Sequence, residues 1–400
     1  MALYQAKDYK FPHIAQGSRV CYPFNMRKSS KALLRLLISV LLVTTSFAFA
    51  SKSNAATQST KSYTILMPRP YKPSGINGGT DDYRCFLIDP KVKEDSILTS
   101  IQFVPQNKPL VHHAILFRIP ANQVASTKQL DANGQGWSCF GGSGVGTMFQ
   151  SFLTTPWLSA WVPGRNTDNA PTGYGYPFNK GDQIVLQVHY NLLAAGEVKA
   201  TNDRSKIILK ATPQNGSTVK QLSYELFPAP VELACPSGVT GPLCDRKQSL
   251  IDLAARTSPA AALEATGIAL LCKQSPFNPT PSNTSTCDRQ ITKPQTVIAA
   301  APHMHLLGRS LRIIANPGSA NESVLLDRKN YNFDDQSSTV LTKPVKLNVG
   351  DTVRVECTFD PTLRQKLPLL KNLPAKYITW GEGSSDEMCL GVLISDSSGS

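Results

Sequence analysis

Histidine is the residue type whose placement in this 400-residue chain most clearly suggests chemistry. Two of the six histidines, His112 and His113, are adjacent inside the apolar, strand-like run VHHAILFRI. Successive side chains of a strand point to opposite faces, so one of the two should face a core. A polar group is costly there unless it finds a partner. The pair therefore needs partners from elsewhere in the chain.

Three further histidines lie in similar surroundings. His189 is in the apolar run IVLQVHYNL, and His303 and His305 form an HxH pair in APHMHLLGRS. Residues i and i+2 of a strand share a face, so an HxH pair can bind one metal ion without distortion. A single strand histidine is usually a packing residue, and HH or HxH alone is a weak metal signal. The joint pattern is stronger, because all histidines except His13 lie in strand-like runs.

The elements that would position these residues read as short strands. Apolar runs such as SILTSIQFVP and PVKLNVGDTVRVECTF are separated by Gly, Pro, Asn and Asp. Many short strands with turn signals predict an all-β sandwich or jelly roll. The length predicts two domains, with a boundary near residues 194–204, where AAGEVKATNDR is small, polar and non-periodic.

One segment differs from this pattern. Residues 247–272 are rich in Ala and Leu, and Ser258 and Pro259 resemble a helix N-cap and first turn. We expect two short helices there. Two cysteine pairs, at 235/244 and 272/287, flank the segment, which predicts a disulfide-stapled helical insertion in the second β domain. These four cysteines permit three pairings, among which the sequence does not choose.

The N-terminal region reads as a leader. Residues 26–55 combine a basic head, a short apolar run and small residues, as in a secretory signal peptide, with cleavage after Ala50 or Ala55. Residues 1–25 then read as a mis-called extension, with Met26 as the start; an uncleaved anchor is the alternative. Without Cys21 the nine cysteines become eight, an even number that suggests disulfides and a secreted or periplasmic location.

Composition and charge argue against some partners. The formal net charge of +13 lies partly in the leader. Beyond the leader there is no run of Lys or Arg and no basic patch interleaved with aromatic residues, so nucleic acid is not an expected partner. No segment after the leader is long and apolar enough to predict a transmembrane helix. The oligomeric state is left open.

Several motifs together resemble a known family. With the C-terminal SSDEMC, the segments VHHAILF, LQVHYNL and PHMHLLG resemble the copper type II, ascorbate-dependent monooxygenases, the family of peptidylglycine α-hydroxylating monooxygenase and dopamine β-monooxygenase. The resemblance runs in order from DDYRCFLI near residue 81 to about residue 394. It implies two tandem antiparallel β-sandwich, jelly-roll-like domains, residues 60–198 and 204–396, with the insertion at 235–290. Each domain would hold one copper across a solvent-filled cleft.

The resemblance also implies two sets of copper ligands. The electron-transfer copper would be held by His112, His113 and His189. The copper at which oxygen and substrate react would be held by His303, His305 and Met388. Imidazole suits copper, and a thioether is a soft ligand that favours Cu(I). Adjacent histidines can reach one copper if their strand lies at an edge or is bent, for example by a bulge, and we expect one ring to bind through Nδ1 and the other through Nε2.

Other residues acquire expected roles in the same way. The resemblance implies the disulfides Cys85–Cys139 and Cys357–Cys389, the second beside Met388. It places Gln187 where a residue is thought to connect the two copper halves, and Tyr83 as an aromatic near the first copper. Ordinary strand packing is an equally good reading of both residues.

The resemblance fails at the substrate anchors. In the peptide-hydroxylating branch an Arg, an Asn and a Tyr hold the substrate carboxylate, and the matching positions here are Ala301, Leu390 and Val392. Their loss removes the charge and the hydrogen bonds that a carboxylate requires. We therefore expect a small neutral or apolar substrate, with O2 and an external electron donor such as ascorbate.

Two other classes of function stay open at this point. A copper-binding or storage protein could keep the ligands without the monooxygenase reaction. A secreted β-sandwich interaction module could carry the histidines incidentally. Copper content distinguishes the interaction module from the two copper proteins. Reductant-dependent O2 consumption coupled to a product distinguishes the enzyme from the storage protein.

Overall fold

The computed structural model describes residues 59–146, 155–163, 167–193, 201–215 and 218–396. The predicted extension and signal peptide lie outside the described residues. We refer to residues 59–213 as the first half and to residues 218–396 as the second half. Strands dominate both halves, which confirms the predicted all-β class.

The described strands follow the short apolar runs of the sequence. In chain order they are β1 (Lys61–Leu66), β2 (Asp81–Ile88), β3 (Ser96–Val104), β4 (Val111–Ile119), β5 (Trp137–Ser138), β6 (Trp157–Trp161), β7 (Asp168–Asn169), β8 (Tyr174–Phe178), β9 (Gln183–Asn191), β10 (Lys206–Pro213), β11 (Lys220–Ala229), β12 (Glu232–Leu233), β13 (Thr284–Gln290), β14 (Gln295–His303), β15 (Gly308–Ala315), β16 (Ser323–Arg328), β17 (Thr339–Leu347), β18 (Thr352–Phe359), β19 (Ile378–Thr379) and β20 (Cys389–Asp396).

Three larger sheets and one small one are formed from these strands. A nine-stranded sheet has the order β1-β10-β3-β8-β11-β20-β14-β17, with β7 also paired to β3. A five-stranded sheet has the order β5-β2-β9-β4-β6, a four-stranded sheet the order β13-β18-β15-β16, and β12 pairs with β19. The pairs are antiparallel except β8 with β11, which run parallel over two residues each and join strands of the two halves within one sheet.

Each half has its own main hydrophobic core. Residues of the five-stranded sheet, such as Leu116 and Leu186, pack with Leu98 and Leu209 from the first-half part of the nine-stranded sheet. In the second half the four-stranded sheet packs in the same way against β11, β14 and β20. Strand β9 is buried along its whole length, including its polar residues Gln187 and His189. Four of the five site histidines are carried by β4, β9 and β14, all of which border these cores, and His305 lies just after β14.

The chain course near the predicted domain boundary is unusual. Strand β10 follows residues 194–204 in sequence, yet it pairs with β1 and β3 of the first half. Residues 194–200 lie outside the described part of the chain. The division into domains 60–198 and 204–396 stays a prediction.

The helical insertion forms as expected. Its two helices are Arg246–Arg256 and Pro259–Leu271, and Asp245 caps the first by accepting a hydrogen bond from the N–H of Gln248. Disulfides Cys235–Cys244 and Cys272–Cys287 staple the insertion. Among the described residues there are also short helices at Val124–Leu130 and Leu363–Lys366, with 3-10 turns at Ile76–Gly78 and Ala121–Gln123. None of the helices described is long and apolar enough to span a membrane.

Candidate metal centres

A β-bulge lies at the adjacent histidines. Where β4 pairs with β9, Val111 lies opposite Tyr190 and His113 lies opposite His189, so His112 is the extra residue. A bulge bends its strand and redirects the side chain of the extra residue. The neighbouring strand β6 pairs with β4 only beyond the two histidines, in the part of the chain that the structure describes. The local bend that a shared ligand would require is therefore present.

The rings of the three first-half histidines converge. Nδ1 of His113 lies 3.3 Å from Nδ1 of His112 and 3.3 Å from Nδ1 of His189. One nitrogen of each ring lies within 4.8 Å of the others, close enough for one metal ion. Nε2 of His112 is buried without a hydrogen-bond partner among the described residues, so the expected mixture of Nδ1 and Nε2 ligands stays a prediction. Burial, followed by the neighbouring histidines, keeps the pKa of His112 and of His113 well below 6.5, which favours the neutral ligand form.

The third histidine is held by two neighbours. Nε2 of His189 lies 2.8 Å from Oδ1 of Asp81, and the ring of Tyr83 stacks on the imidazole at a centroid distance of 4.1 Å. Burial alone would raise the pKa of Asp81, but the hydrogen bonds and charge of His189 and the N–H of Ser384 hold it below its usual value. A carboxylate on one ring nitrogen fixes the tautomer, which leaves Nδ1 free to bind a metal.

The HxH pair differs from its predicted setting. His303 is the last residue of β14, whereas His305 lies two residues beyond it and not on the strand. The buried carboxyl group of Glu387 accepts the backbone N–H groups of His305 and Leu307, which therefore do not pair with a neighbouring strand. The two rings nevertheless lie side by side, with centroids 5.3 Å apart and planes at 89°.

The hydrogen bonds of this pair leave the same nitrogen free on both rings. Nδ1 of His303 contacts Oε1 of Gln336, and Nδ1 of His305 lies 3.3 Å from the carbonyl oxygen of Asp386. Both Nδ1 atoms must therefore carry the proton. Nε2 of His305 is buried without a hydrogen-bond partner among the described residues. Burial lowers the pKa of His303 to about 4 and that of His305 to about 3. A bare, buried imidazole nitrogen fits a metal ion.

Met388 lies with His303 at the wall of a cavity whose other walls are mainly apolar and aromatic. The thioether is 3% exposed, and Ala301, Leu390 and Val392 line the same space. The full lining is His113, Ile115, Phe117, Gly142, Trp157, Ala160, Trp161, Val162, Gln187, Tyr224, Ala301, Pro302, His303, Gln336, Ser338, Glu382, Met388, Leu390, Val392 and Ile394. Residues of both halves therefore enclose one space.

The two sets of histidines are in contact. The rings of His113 and His303 have centroids 5.8 Å apart and planes at 89°. Phe333, in the loop that also carries Gln336, stacks on His112 at 4.1 Å. The solvent-filled cleft that the resemblance implies is therefore not found between these two sets. The reason is local packing, since Phe333 and the His113–His303 contact close the gap.

Gln187 and the disulfides organise the first-half wall of the cavity. The side-chain amide of Gln187 donates to the carbonyl oxygens of Cys139 and Gly142, and Gln187 also lines the cavity. The structure joins Cys85 to Cys139 and Cys357 to Cys389, the two pairs that the resemblance implies. The second bridge fixes the strand that begins beside Met388.

Sequence reasoning missed the residues that orient the histidines. Asp81, Gln336, Phe333 and Glu387 contact the two sets, yet none of them lies in a histidine motif. Asp81 was visible as part of the acidic pair that begins DDYRCFLI, and Glu387 as part of SSDEMC. Gln336 and Phe333 lie in a polar loop, where no pattern in the sequence marked them.

An all-β chain with converging imidazoles, and with a methionine beside a second histidine pair, has the donor set of a copper protein. Residues 267–394 match the family model of the copper type II ascorbate-dependent monooxygenase, C-terminal domain. The matched segment contains His303, His305 and Met388.

Two solved structures show weak similarity to the chain. One is an F-lectin (fucolectin) from Morone saxatilis (striped bass) serum, with 8% identity over 84% of this chain and 96% of that chain and a TM-score of 0.16. The other is from the infectious bursal disease virus Gx strain, with 7% identity over 86% of this chain and 73% of that chain and a TM-score of 0.17. Similarities at these TM-scores carry no conclusion about this chain.

Proposed function

We propose that this chain is an exported dicopper monooxygenase that hydroxylates a C–H bond of a small neutral or apolar molecule, with O2 and electrons from ascorbate or another external reductant. The observation that carries the proposal is the position of His303 and Met388 at the wall of an apolar cavity, with His113 of the other histidine set also at that wall. A copper storage protein has no need for a substrate-sized apolar space beside its ligands.

The first-half set would bind one copper through His112, His113 and His189, and the second-half set would bind another through His303, His305 and Met388. Bound copper supplies the redox chemistry of oxygen activation and electron delivery, which no protein side chain supplies. The chain itself fixes the ligands: Asp81 holds the tautomer of His189, and Gln336 holds that of His303.

The cavity suits a substrate without charge. Ala301, Leu390 and Val392 offer neither a cation nor a hydrogen-bond donor in their side chains, and all three line the space beside Met388. Trp157 and Trp161 add aromatic surface at the same wall. Apolar walls with few polar groups are the usual form of a small-molecule pocket and exclude water from it.

Export is supported by the cysteines. All eight cysteines after the leader form disulfides, which persist in oxidising compartments. We therefore place the protein outside the cytoplasm, secreted or periplasmic.

The test is metal analysis of the purified protein followed by a substrate screen. We expect two coppers per chain and reductant-dependent O2 consumption coupled to a hydroxylated product. Met388→Ile should abolish hydroxylation while the first-half copper stays bound. The control is Met67→Ile, at a methionine buried in the first-half core, which should keep activity. Full activity in Met388→Ile, or copper binding without any product, would overturn the proposal.

A further inference from the structure

Two glutamates are buried near each other where the helical insertion approaches the cavity. Glu264 lies on the Pro259–Leu271 helix and is 3% exposed, and Glu382 lies before Met388 and is 6% exposed. Oε1 of each side chain is buried and has no hydrogen-bond partner among the described residues. Two carboxyl groups in such a setting require an explanation, because a buried polar atom without a partner is costly.

The pair lies against the cavity that also contains Met388. Glu382 lines this space directly, together with Gly142 of the first half. A Cβ placed on Gly141, whose φ is +77°, would lie 3.2 Å from Oε2 of Glu264, so the glycine backbone packs closely on that carboxyl group. The insertion therefore positions Glu264 at the junction between the two halves, near the part of the cavity wall that Glu382 forms.

The charges around the pair favour its neutral form. The nearby cations Arg256 and Lys376 are bound to Asp386, at 3.0 Å in the case of Arg256, and not to either glutamate. The other neighbours are Asp386 and Asp81, which are acidic, and Tyr83, whose hydroxyl donates to the backbone carbonyl of Glu382. Burial raises the pKa of Glu264 to about 8. Burial, then Glu264 and Asp386, raises the pKa of Glu382 well above its usual value.

We propose that Glu382 is a neutral carboxylic acid that donates a hydrogen bond to a carbonyl or hydroxyl oxygen of the substrate, with its burial near Glu264 of the insertion as the reason that it stays protonated. This inference rests on the proposed function, since it assigns the group that orients a substrate beside His303 and Met388. A mainly apolar cavity with a protonated donor at its wall favours an uncharged molecule that carries an oxygen function.

The experiment compares three probes of nearly equal shape: ethylbenzene, acetophenone and 1-phenylethylamine. Their dissociation constants are measured by calorimetry on the copper-loaded protein without reductant, so that no turnover occurs. At pH 6.5 we expect acetophenone to bind about five- to tenfold more tightly than ethylbenzene, as one hydrogen bond implies. The outcome does not depend on whether the chain hydroxylates anything, which separates this test from that of the proposed function.

Variants identify the donor. Glu382→Leu should remove the preference for acetophenone, whereas Glu382→Gln, whose amide also donates, should restore it. Raising the pH until the carboxyl group of Glu382 ionises should abolish the preference in the unmodified protein but not in Glu382→Gln. Glu264→Gln should move the loss of the preference to lower pH, because it removes the like-charge neighbour. The control Glu94→Gln alters an exposed glutamate paired with Lys61 and should change none of these values.

A second measurement reads the proton directly. Infrared spectroscopy at pH 6.5 should show the C=O band of a protonated carboxyl group that disappears in Glu382→Gln. Absence of this band overturns the proposal. The proposal is also overturned if the cation 1-phenylethylamine binds most tightly of the three probes and loses this binding in Glu382→Gln. The side chain of Glu382 would then be an ionised carboxylate. Failure of all three probes to bind, or equal binding of acetophenone and ethylbenzene, also overturns it.

Discussion

His113 of the first half and His303 of the second half contact each other edge to face, with ring centroids 5.8 Å apart. Each ring belongs to a different set of candidate ligands, and each lines the same cavity. The two halves also meet at the ring of Phe333, which stacks on His112. Electrons passing between coppers held by the two sets would therefore not need to cross a layer of solvent.

This contact predicts that copper ions bound to the two sets would interact magnetically. We expect the protein loaded with two equivalents of Cu(II) to give an electron paramagnetic resonance spectrum broadened by coupling between the ions. Phe333→Ala removes the ring that packs on His112 and should weaken the coupling without emptying either site. If the spectrum of the unmodified protein is the sum of two independent, unbroadened Cu(II) signals, the predicted coupling is absent.

Asp81 should set the metal affinity of the first-half set. Its carboxylate lies 2.8 Å from Nε2 of His189, and a residue that orients a ligand in this way typically contributes 10- to 100-fold to metal affinity. We therefore expect Asp81→Asn to weaken copper binding to this set about 10- to 100-fold, as measured by competition with a chelator.

The neighbouring Asp82 offers a matched control. It is also buried, but its hydrogen-bond partners are Tyr71 and Ser74 and not a ring nitrogen of His189. Asp82→Asn should leave the copper affinity unchanged. Equal losses in the two variants would show that Asp81 acts through general stability and not through His189.

The sequence marked the histidines themselves better than the residues that orient them, because the orienting residues lie far away along the chain. Strand period and residue type mark His112 and His303 locally, and the Ala-rich segment marks the insertion helices. Gln336, in contrast, reaches His303 across 33 residues from a loop without periodicity. The two-residue parallel pairing of β8 with β11, which joins the halves, is likewise too short to leave a pattern. His305 lies beyond its strand and donates its backbone N–H to Glu387, 82 residues away, so HxH spacing alone implied too long a strand.

The Cys357–Cys389 disulfide should stabilise the protein more than Cys235–Cys244 does. The two bridges close segments of 32 and 9 residues, and loop entropy predicts contributions of about 3.7 and about 2.6 kcal/mol. We expect the double alanine variants to lose stability in this order in denaturant titrations. Copper binding by the second-half set should fall in the Cys357/Cys389 variant alone, because Cys389 follows Met388.

Lys376 should stabilise the segment that leads to Met388. The side chain is 3% exposed, and its ammonium group pairs with the buried carboxylate of Asp386 and with Asp252 at 3.0 Å. Removing one partner of a buried ion pair typically costs 3–5 kcal/mol, and Arg256 remains beside Asp386. We therefore expect Lys376→Met to lower the free energy of unfolding by about 3 kcal/mol.

The same variant should reveal a pH dependence. Burial would raise the pKa of Asp386, but the charges of Arg256 and Lys376 outweigh it and hold this pKa well below the usual 3.8. A carboxyl group with a lowered pKa in the folded state stabilises the protein above its unfolded pKa, and this stabilisation is lost as the pH falls through the folded value. The stability difference between the unmodified protein and Lys376→Met should therefore be full at pH 6 and shrink below about pH 4.

Lys366→Met, at an exposed lysine that contacts Thr362, should change stability by less than about 0.5 kcal/mol at either pH. A difference that does not change with pH would mean that Lys376 acts by packing and not through the charge of Asp386.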